Sequence, residues 1–265
     1  MVAELRQTGD PATAHPSAQQ GFAYRFEWGA NGVRALAPVV EVIIIVDVLR
    51  FTSAVSAAVE AGATVFPCRF NDAQADEFAR SRGAQVAGRR ERGEIALSPT
   101  DLLMGRPGAR LVLPSPNGAA LALAARELGA RNVLAGCLRN ASVTATVART
   151  LARRNGTIGI IGAGERWHDE AGALRPAVED LIGAGAILAA LDPSAAVSAP
   201  CCSSEAAAAR AAFVAARPRL YETLTDCASG RELVARGAID DLATCAALDV
   251  APRAAVMFDD SFVAA

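Results

Sequence analysis

Carboxylates and arginines recur at the points where this chain turns. Asp47 and Arg50 follow an apolar run, Arg89-Arg-Glu-Arg-Gly93 forms a charged cluster, Glu165 and Arg166 follow Gly162-Ala-Gly164, and Glu179-Asp180 opens an Ala-rich segment. Carboxylates are the hard oxygen donors that Mg²⁺ accepts, and guanidinium forks match the oxygens of phosphate, carboxylate or sulfonate. The two together suit phosphoryl transfer, in which charge gathers on oxygen atoms and positioning plus positive charge does most of the work. Asn117-Gly118 and Asn140 add neutral donors at two further turns.

Each of these residues has a plainer role when taken alone. Asp47 at a strand end can cap the turn that follows, and Asn117-Gly118 after a proline is a common turn pair. Gly162 and Gly164 form half of a dinucleotide fingerprint, but the third glycine is missing because position 167 is Trp. His15 and His168 have no neighbours that mark them as ligands. The chemical reading rests on the way the turns combine.

Those turns must be positioned by a scaffold, and the hydrophobic pattern defines one. Val39–Val48, Thr64–Cys68, Arg110–Pro114, Asn132–Ala135 and Thr157–Ile161 read as buried strands. Helical segments alternate with them: Ala54–Ala61, Asp72–Arg82, Ala119–Leu128, Ser142–Arg153 and Pro176–Leu191. That alternation predicts an α/β protein, a layered α/β/α arrangement with a mainly parallel or mixed sheet. In such a sheet ligands bind beyond the carboxyl ends of the strands, where the turns lie. Gly183 and Gly185 weaken a helix interior unless something packs closely there. The C-terminal part reads as helical, a lobe over 203–250, with Met257-Phe258 as a last short strand. Residues 1–20 are expected to be a disordered tail and 21–265 a single unit.

Composition narrows the function classes. The 265 residues are 52% hydrophobic with a formal net charge of −2, enough to bury a full core and without a basic run to neutralise nucleic acid phosphates. Nucleic acid is therefore not an expected partner. No apolar run approaches the ~20 residues of a membrane span, and the polar N-terminus lacks a secretory pattern, so a cytoplasmic protein is expected. The six cysteines show neither CxxC pairs nor zinc spacing and are expected to be reduced thiols. An apolar face on the Ala-rich helices would permit a homodimer.

Taken in order, the motifs resemble the 2-phosphosulfolactate phosphatase family. They are Val46-Asp-Val-Leu-Arg-Phe-Thr-Ser53, Gly88-Arg-Arg-Glu-Arg-Gly93, Leu97-Ser-Pro99, Pro114-Ser-Pro-Asn-Gly-Ala119, Asn140-Ala141, Val178-Glu-Asp180 and Asp240-Asp241. The resemblance implies an α/β fold and Mg²⁺-dependent hydrolysis of a small anionic substrate, 2-phospho-3-sulfolactate, to 3-sulfolactate and phosphate, a step in coenzyme M biosynthesis. It also implies site residues. Asp47, Arg50 and Glu91 are the catalytic candidates, with Asp47 the expected nucleophile. Arg90, Arg92, Asn117, Gly118 and Asn140 are the candidates for binding substrate, and Asp47, Glu179 and Asp180 those for holding the metal. One turn departs from the family pattern: where members tend to have Thr-Thr-Asn-Gly-Thr, this chain has Ser115-Pro-Asn-Gly-Ala119. The departure supports an alternative from another class, a non-catalytic binding protein for phosphorylated hydroxy acids.

Overall fold

The computed structural model describes residues 15–69, 73–88, 97–105, 109–153, 156–167, 172–192 and 201–265. In chain order the elements are β1 (Tyr24–Trp28), α1 (Gly29–Leu36), β2 (Val42–Val46), α2 (Phe51–Glu60), β3 (Thr64–Cys68), α3 (Ala73–Arg82), β4 (Gln85–Val86) and α4 (Pro99–Met104). Next come β5 (Arg110–Pro114), α5 (Gly118–Glu127), β6 (Asn132–Gly136), α6 (Ala141–Leu151), β7 (Ile158–Gly162), β8 (Glu165–Arg166), β9 (Leu174–Arg175) and α7 (Val178–Leu191). The chain ends with α8 (Ser204–Ala216), α9 (Leu220–Asp226), α10 (Ala228–Ala235), α11 (Ile239–Ala246), β10 (Ala255–Phe258) and β11 (Ser261–Ala264).

Nine strands form one mixed sheet in the order β1-β7-β2-β6-β10-β11-β3-β5-β4, and β8 with β9 makes a separate two-stranded ribbon. β1, β7, β2 and β6 are parallel to one another, as are β3, β5 and β4. The C-terminal hairpin β10–β11 joins the two groups through antiparallel pairings. The loop after β5 reaches the carboxyl end of β2, where Gly118 N–H meets Asp47.

The central strand β2, Val-Ile-Ile-Ile-Val, is buried along its whole length because both faces are covered. Ile43 and Ile45 pack with α1, α2, α4 and α5 on one face, while Val42, Ile44 and Val46 pack with α6, α7, α8 and α9 on the other. α3 covers the remaining part of that second face, over Phe66 and Val112. The layered α/β/α expectation holds, and helices do dominate the C-terminal part.

Several elements differ from the sequence reading. β1, α1, α4 and α11 are further regular elements, and Met257-Phe258 belongs to a full hairpin rather than a lone strand. Order begins before residue 21: Pro16–Ala18 form a 3₁₀ turn, and the buried Gln19 donates to the Phe26 carbonyl at 2.8 Å. Residues 1–14 lie outside the described residues. Cys68, Cys137, Cys227 and Cys245 are buried and form no disulfide among the described residues, whereas Cys201 is exposed. Among the described residues no helix is long and apolar enough to cross a membrane.

The two glycines inside α7 are explained by close approach. A Cβ on Gly183 would lie 2.6 Å from Val48 Cγ2, and one on Gly185 would lie 2.1 Å from the Ala209 carbonyl oxygen. α8 therefore rests directly on the α7 backbone. Gly185→Ala is expected to lower stability by about 1–3 kcal/mol, the usual cost of overpacking, read as a lower urea midpoint. An unchanged midpoint would mean that α7 and α8 pack less tightly than the geometry indicates.

Candidate active site

Two buried aspartates organise the carboxyl ends of the parallel strands. Asp47 follows β2 and accepts the N–H of Phe51 on Oδ1 at 3.2 Å and that of Gly118 on Oδ2 at 2.8 Å. Its own backbone is closed onto the start of α2 by Thr52, whose hydroxyl donates to the Asp47 carbonyl at 2.8 Å. Gly118 has to be glycine, since a Cβ there would lie 2.6 Å from Asp47 Oδ2 and 2.4 Å from the Phe51 ring. The Asn117-Gly118 pair is thus a turn fitted against a carboxylate.

Asp180, in the first turn of α7, reaches across the strand ends. Its Oδ1 accepts the N–H of Val48 and its Oδ2 that of Gly164, both at 2.8 Å. Acidic residues are favoured at a helix N-terminus by the unpaired N–H groups there, but this one links β2 to the turn after β7 instead. Gly164 has φ +66 and a Cβ on it would lie 2.9 Å from the Arg175 carbonyl oxygen. The chain then enters the β8–β9 ribbon, so Gly162-Ala-Gly164 does not open a helix onto a pyrophosphate as a dinucleotide site requires.

Glu165 and Glu179 complete a set of four acids. Asn117 Nδ2 donates to Glu165 Oε2 at 3.1 Å, which ties the turn after β5 to the ribbon. Glu179 is buried beside Asp180 and meets the Cys227 thiol. Burial pushes the Asp47 carboxyl up to about 7, with Glu165 and then Glu179 adding to the rise and the N–H groups of Phe51 and Gly118 opposing it. Burial also raises Asp180, followed by the charges of Asp47 and Glu179. Glu165 is raised by burial, against the opposing Asn117 hydrogen bond. Asp47, Asp180 and Glu165 are therefore held near other carboxylates in poorly solvated places, with Arg175 opposing the rise at Glu165.

Arg50 sits beside this cluster but is ion-paired with Asp241 of α11, which is itself buried. Ser98 Oγ donates to Asp241 Oδ1 at 2.5 Å, so the same aspartate fixes the start of α4. Asn140 is turned inward: its Oδ1 accepts the Cys137 N–H at 2.9 Å and its Nδ2 donates to the Ala135 carbonyl at 3.1 Å. It shapes its own turn. Asp47, Asn117, Gly118, Glu179 and Asp180 are brought together, whereas Arg90, Glu91 and Arg92 lie outside the described residues. Glu165 and Asp241 are the functional neighbours that the sequence reading did not select. Glu165 was visible in the turn after β7, and Asp241 in the Asp240-Asp241 motif.

The donor chemistry fits one divalent cation. Mg²⁺ keeps several waters and needs only one or two protein carboxylates, and Asp47 and Glu179 are buried acids at the strand ends. Among the described residues no three acidic, His or Cys side chains form a ready metal nest, as a water-rich Mg²⁺ site would not require. Beside the acids a cleft of about 390 Å³ opens between α1, α5 and the ribbon, with Asn117, Arg166 and Leu174 in its wall.

The acids and neutral donors lie at strand ends of a layered α/β scaffold, where such folds bind small ligands. The model of the 2-phosphosulpholactate phosphatase family matches residues 33–257, and the chain belongs to that family. Its members are phosphoric monoester hydrolases. No curated relative matches the chain significantly.

The raised Asp47 carboxyl has a consequence for stability. Between the ordinary value of 3.8 and about 7, the folded protein holds a proton that the unfolded chain has released. The stability this group contributes is therefore present at acid pH and is lost as pH rises through about 7. In chelator, the wild-type denaturation midpoint is expected to fall between pH 5 and pH 8, by the equivalent of about 1–3 kcal/mol. Asp47→Asn should flatten that dependence; an identical slope in the variant would show that Asp47 is not the group responsible.

Proposed function

We propose that the protein hydrolyses 2-phospho-3-sulfolactate, or a close phosphorylated hydroxy acid, with one Mg²⁺ held at Asp47 and Glu179. The observation that carries this reading is the cluster of buried Asp47, Glu179 and Asp180 with half-buried Glu165, in which burial and neighbouring carboxylates raise Asp47, Asp180 and Glu165. When bound, Mg²⁺ would neutralise charge on the phosphoryl oxygens as the ester bond breaks. Both Asp47 oxygens accept backbone N–H groups, which fixes the carboxylate in one orientation. Asp180, with both oxygens on backbone N–H groups, positions the strand ends and adds negative charge.

Glu165 is the group placed to take a proton. It is less buried than the aspartates and is oriented by Asn117 Nδ2. Its raised pKa brings it nearer neutrality, where a general base works best. In this reading it accepts the proton of the water that attacks phosphorus. Arg50, paired with Asp241, braces the loop after β2 beside the site. The Ser115 hydroxyl accepts the Asn117 N–H at 3.2 Å, so in this chain that residue supports the turn.

Phosphate release from 2-phosphosulfolactate, measured with Mg²⁺ and with chelator, tests the proposal. Release should require Mg²⁺. Asp47→Asn should lower kcat/KM at least about 100-fold, and Glu165→Gln should lower kcat by roughly 10²-fold while flattening the acid limb of its pH profile. Full activity in Asp47→Asn, or release that ignores chelator, would sink the metal assignment. Tight binding of phosphorylated hydroxy acids without release would instead support the non-catalytic alternative.

A further inference from the structure

The β8–β9 ribbon has two chemically different faces. Glu165 pairs with Arg175 and Arg166 with Leu174, and successive residues of a strand point to opposite sides. Arg166 and Leu174 line the cleft. Glu165, Trp167 and Arg175 share the other side, toward the acids: Glu165 meets Asn117, and the Arg175 guanidinium lies 5.9 Å from the Trp167 ring centroid.

The guanidiniums of this region differ in what already holds them. Arg50 is paired with Asp241, Arg69 with Glu127 and Arg139 with Glu60. Arg166 donates to the Gly172 carbonyl at 3.0 Å. Arg175 donates to the hydroxyl of Ser229 at 3.3 Å, and among the described residues no carboxylate lies within ion-pair distance of it. A guanidinium carries five N–H donors in a rigid fork; among the described residues the Ser229 hydroxyl is the side-chain acceptor that meets this one, while Glu165, its cross-strand partner, acts on it by charge from beyond ion-pair distance. It is oriented by the Trp167 ring on one side and by the buried Ser229 at the start of α10 on the other. An oriented, half-buried arginine beside a phosphoryl site is built to receive an oxyanion.

We propose that Arg175 is the residue that recognises a non-transferred acid group of the substrate, a carboxylate or sulfonate, with Trp167 and Ser229 holding its guanidinium in place. The proposal rests on the phosphatase reading of the same site but assigns a separate task, choosing the substrate rather than breaking the ester. The acid group is therefore received on the Arg175 side, and the phosphoryl group is left to the strand ends.

The test compares wild type, Arg175→Met and Arg175→Lys in two assays. Steady-state kinetics with 2-phosphosulfolactate should show KM raised at least about tenfold in Arg175→Met with a smaller change in kcat, and partial recovery in Arg175→Lys, whose point charge lacks the fork. The penalty on phenyl phosphate, which has no second acid group, should be several-fold smaller. Calorimetry with the product 3-sulfolactate should show weakened binding in Arg175→Met while orthophosphate binding changes less. An equal loss on both substrates, or unaltered 3-sulfolactate affinity, would overturn the proposal. If the wild type releases no phosphate yet binds 3-sulfolactate through Arg175, the phosphatase reading fails and this assignment stands.

Discussion

The arrangement depends on one buried carboxylate that bonds to backbone rather than to side chains. Asp180 takes the N–H of Val48 on one oxygen and that of Gly164 on the other. Those two groups follow neighbouring parallel strands, β2 and β7, whose ladder ends there. A buried N–H without a partner costs about as much as a lost hydrogen bond, and one α7 side chain satisfies two of them. In doing so it sets where α7 starts and, through residue 179, where the neighbouring glutamate lies.

Asp47 performs the matching task for the other half of the sheet. The loop after β5 belongs to a different parallel group, and the Gly118 N–H on Asp47 Oδ2 holds it against the end of β2. Asn117, fixed next to it, then reaches Glu165. Three loops from distant parts of the chain are thus tied by two aspartates and one asparagine. Placing these acids together in a desolvated region raises their pKa values and opposes folding at higher pH. Such concentration of like charge is common where a site awaits a cation or an anionic ligand with one.

Much of this was legible in the sequence because burial leaves a plain pattern. The all-apolar β2 and the alternation of strands with Ala-rich helices gave the layered fold, and Asp47, Gly118 and Asp180 stood at the turns where the geometry brings them together. Asn140 shows the limit. A turn asparagine reads equally as a ligand donor or as the brace of its own turn, and only the positions of the Cys137 N–H and Ala135 carbonyl distinguish the two. Glu165 and Arg175 were harder still, since two-residue strands have no periodicity to display. The short ribbon that presents them is defined by pairing alone.

Arg50 and Arg175 illustrate why residue type does not determine role. Both lie near the acid cluster, yet Arg50 is held by a buried aspartate that also fixes α4 through Ser98. Removing one partner of such a pair would leave the other buried without a counter-charge, so the pair is first a structural joint between α11, α4 and the loop after β2. Arg175 is held in contact by a ring face and a neutral hydroxyl, with Glu165 across the ribbon acting on it only from beyond ion-pair distance. A guanidinium kept in place by neutral groups retains its attraction for an anion, whereas one already paired has largely exhausted it. The identity of the partner, more than proximity to the acids, therefore separates an arginine that builds the site from one that reads the substrate.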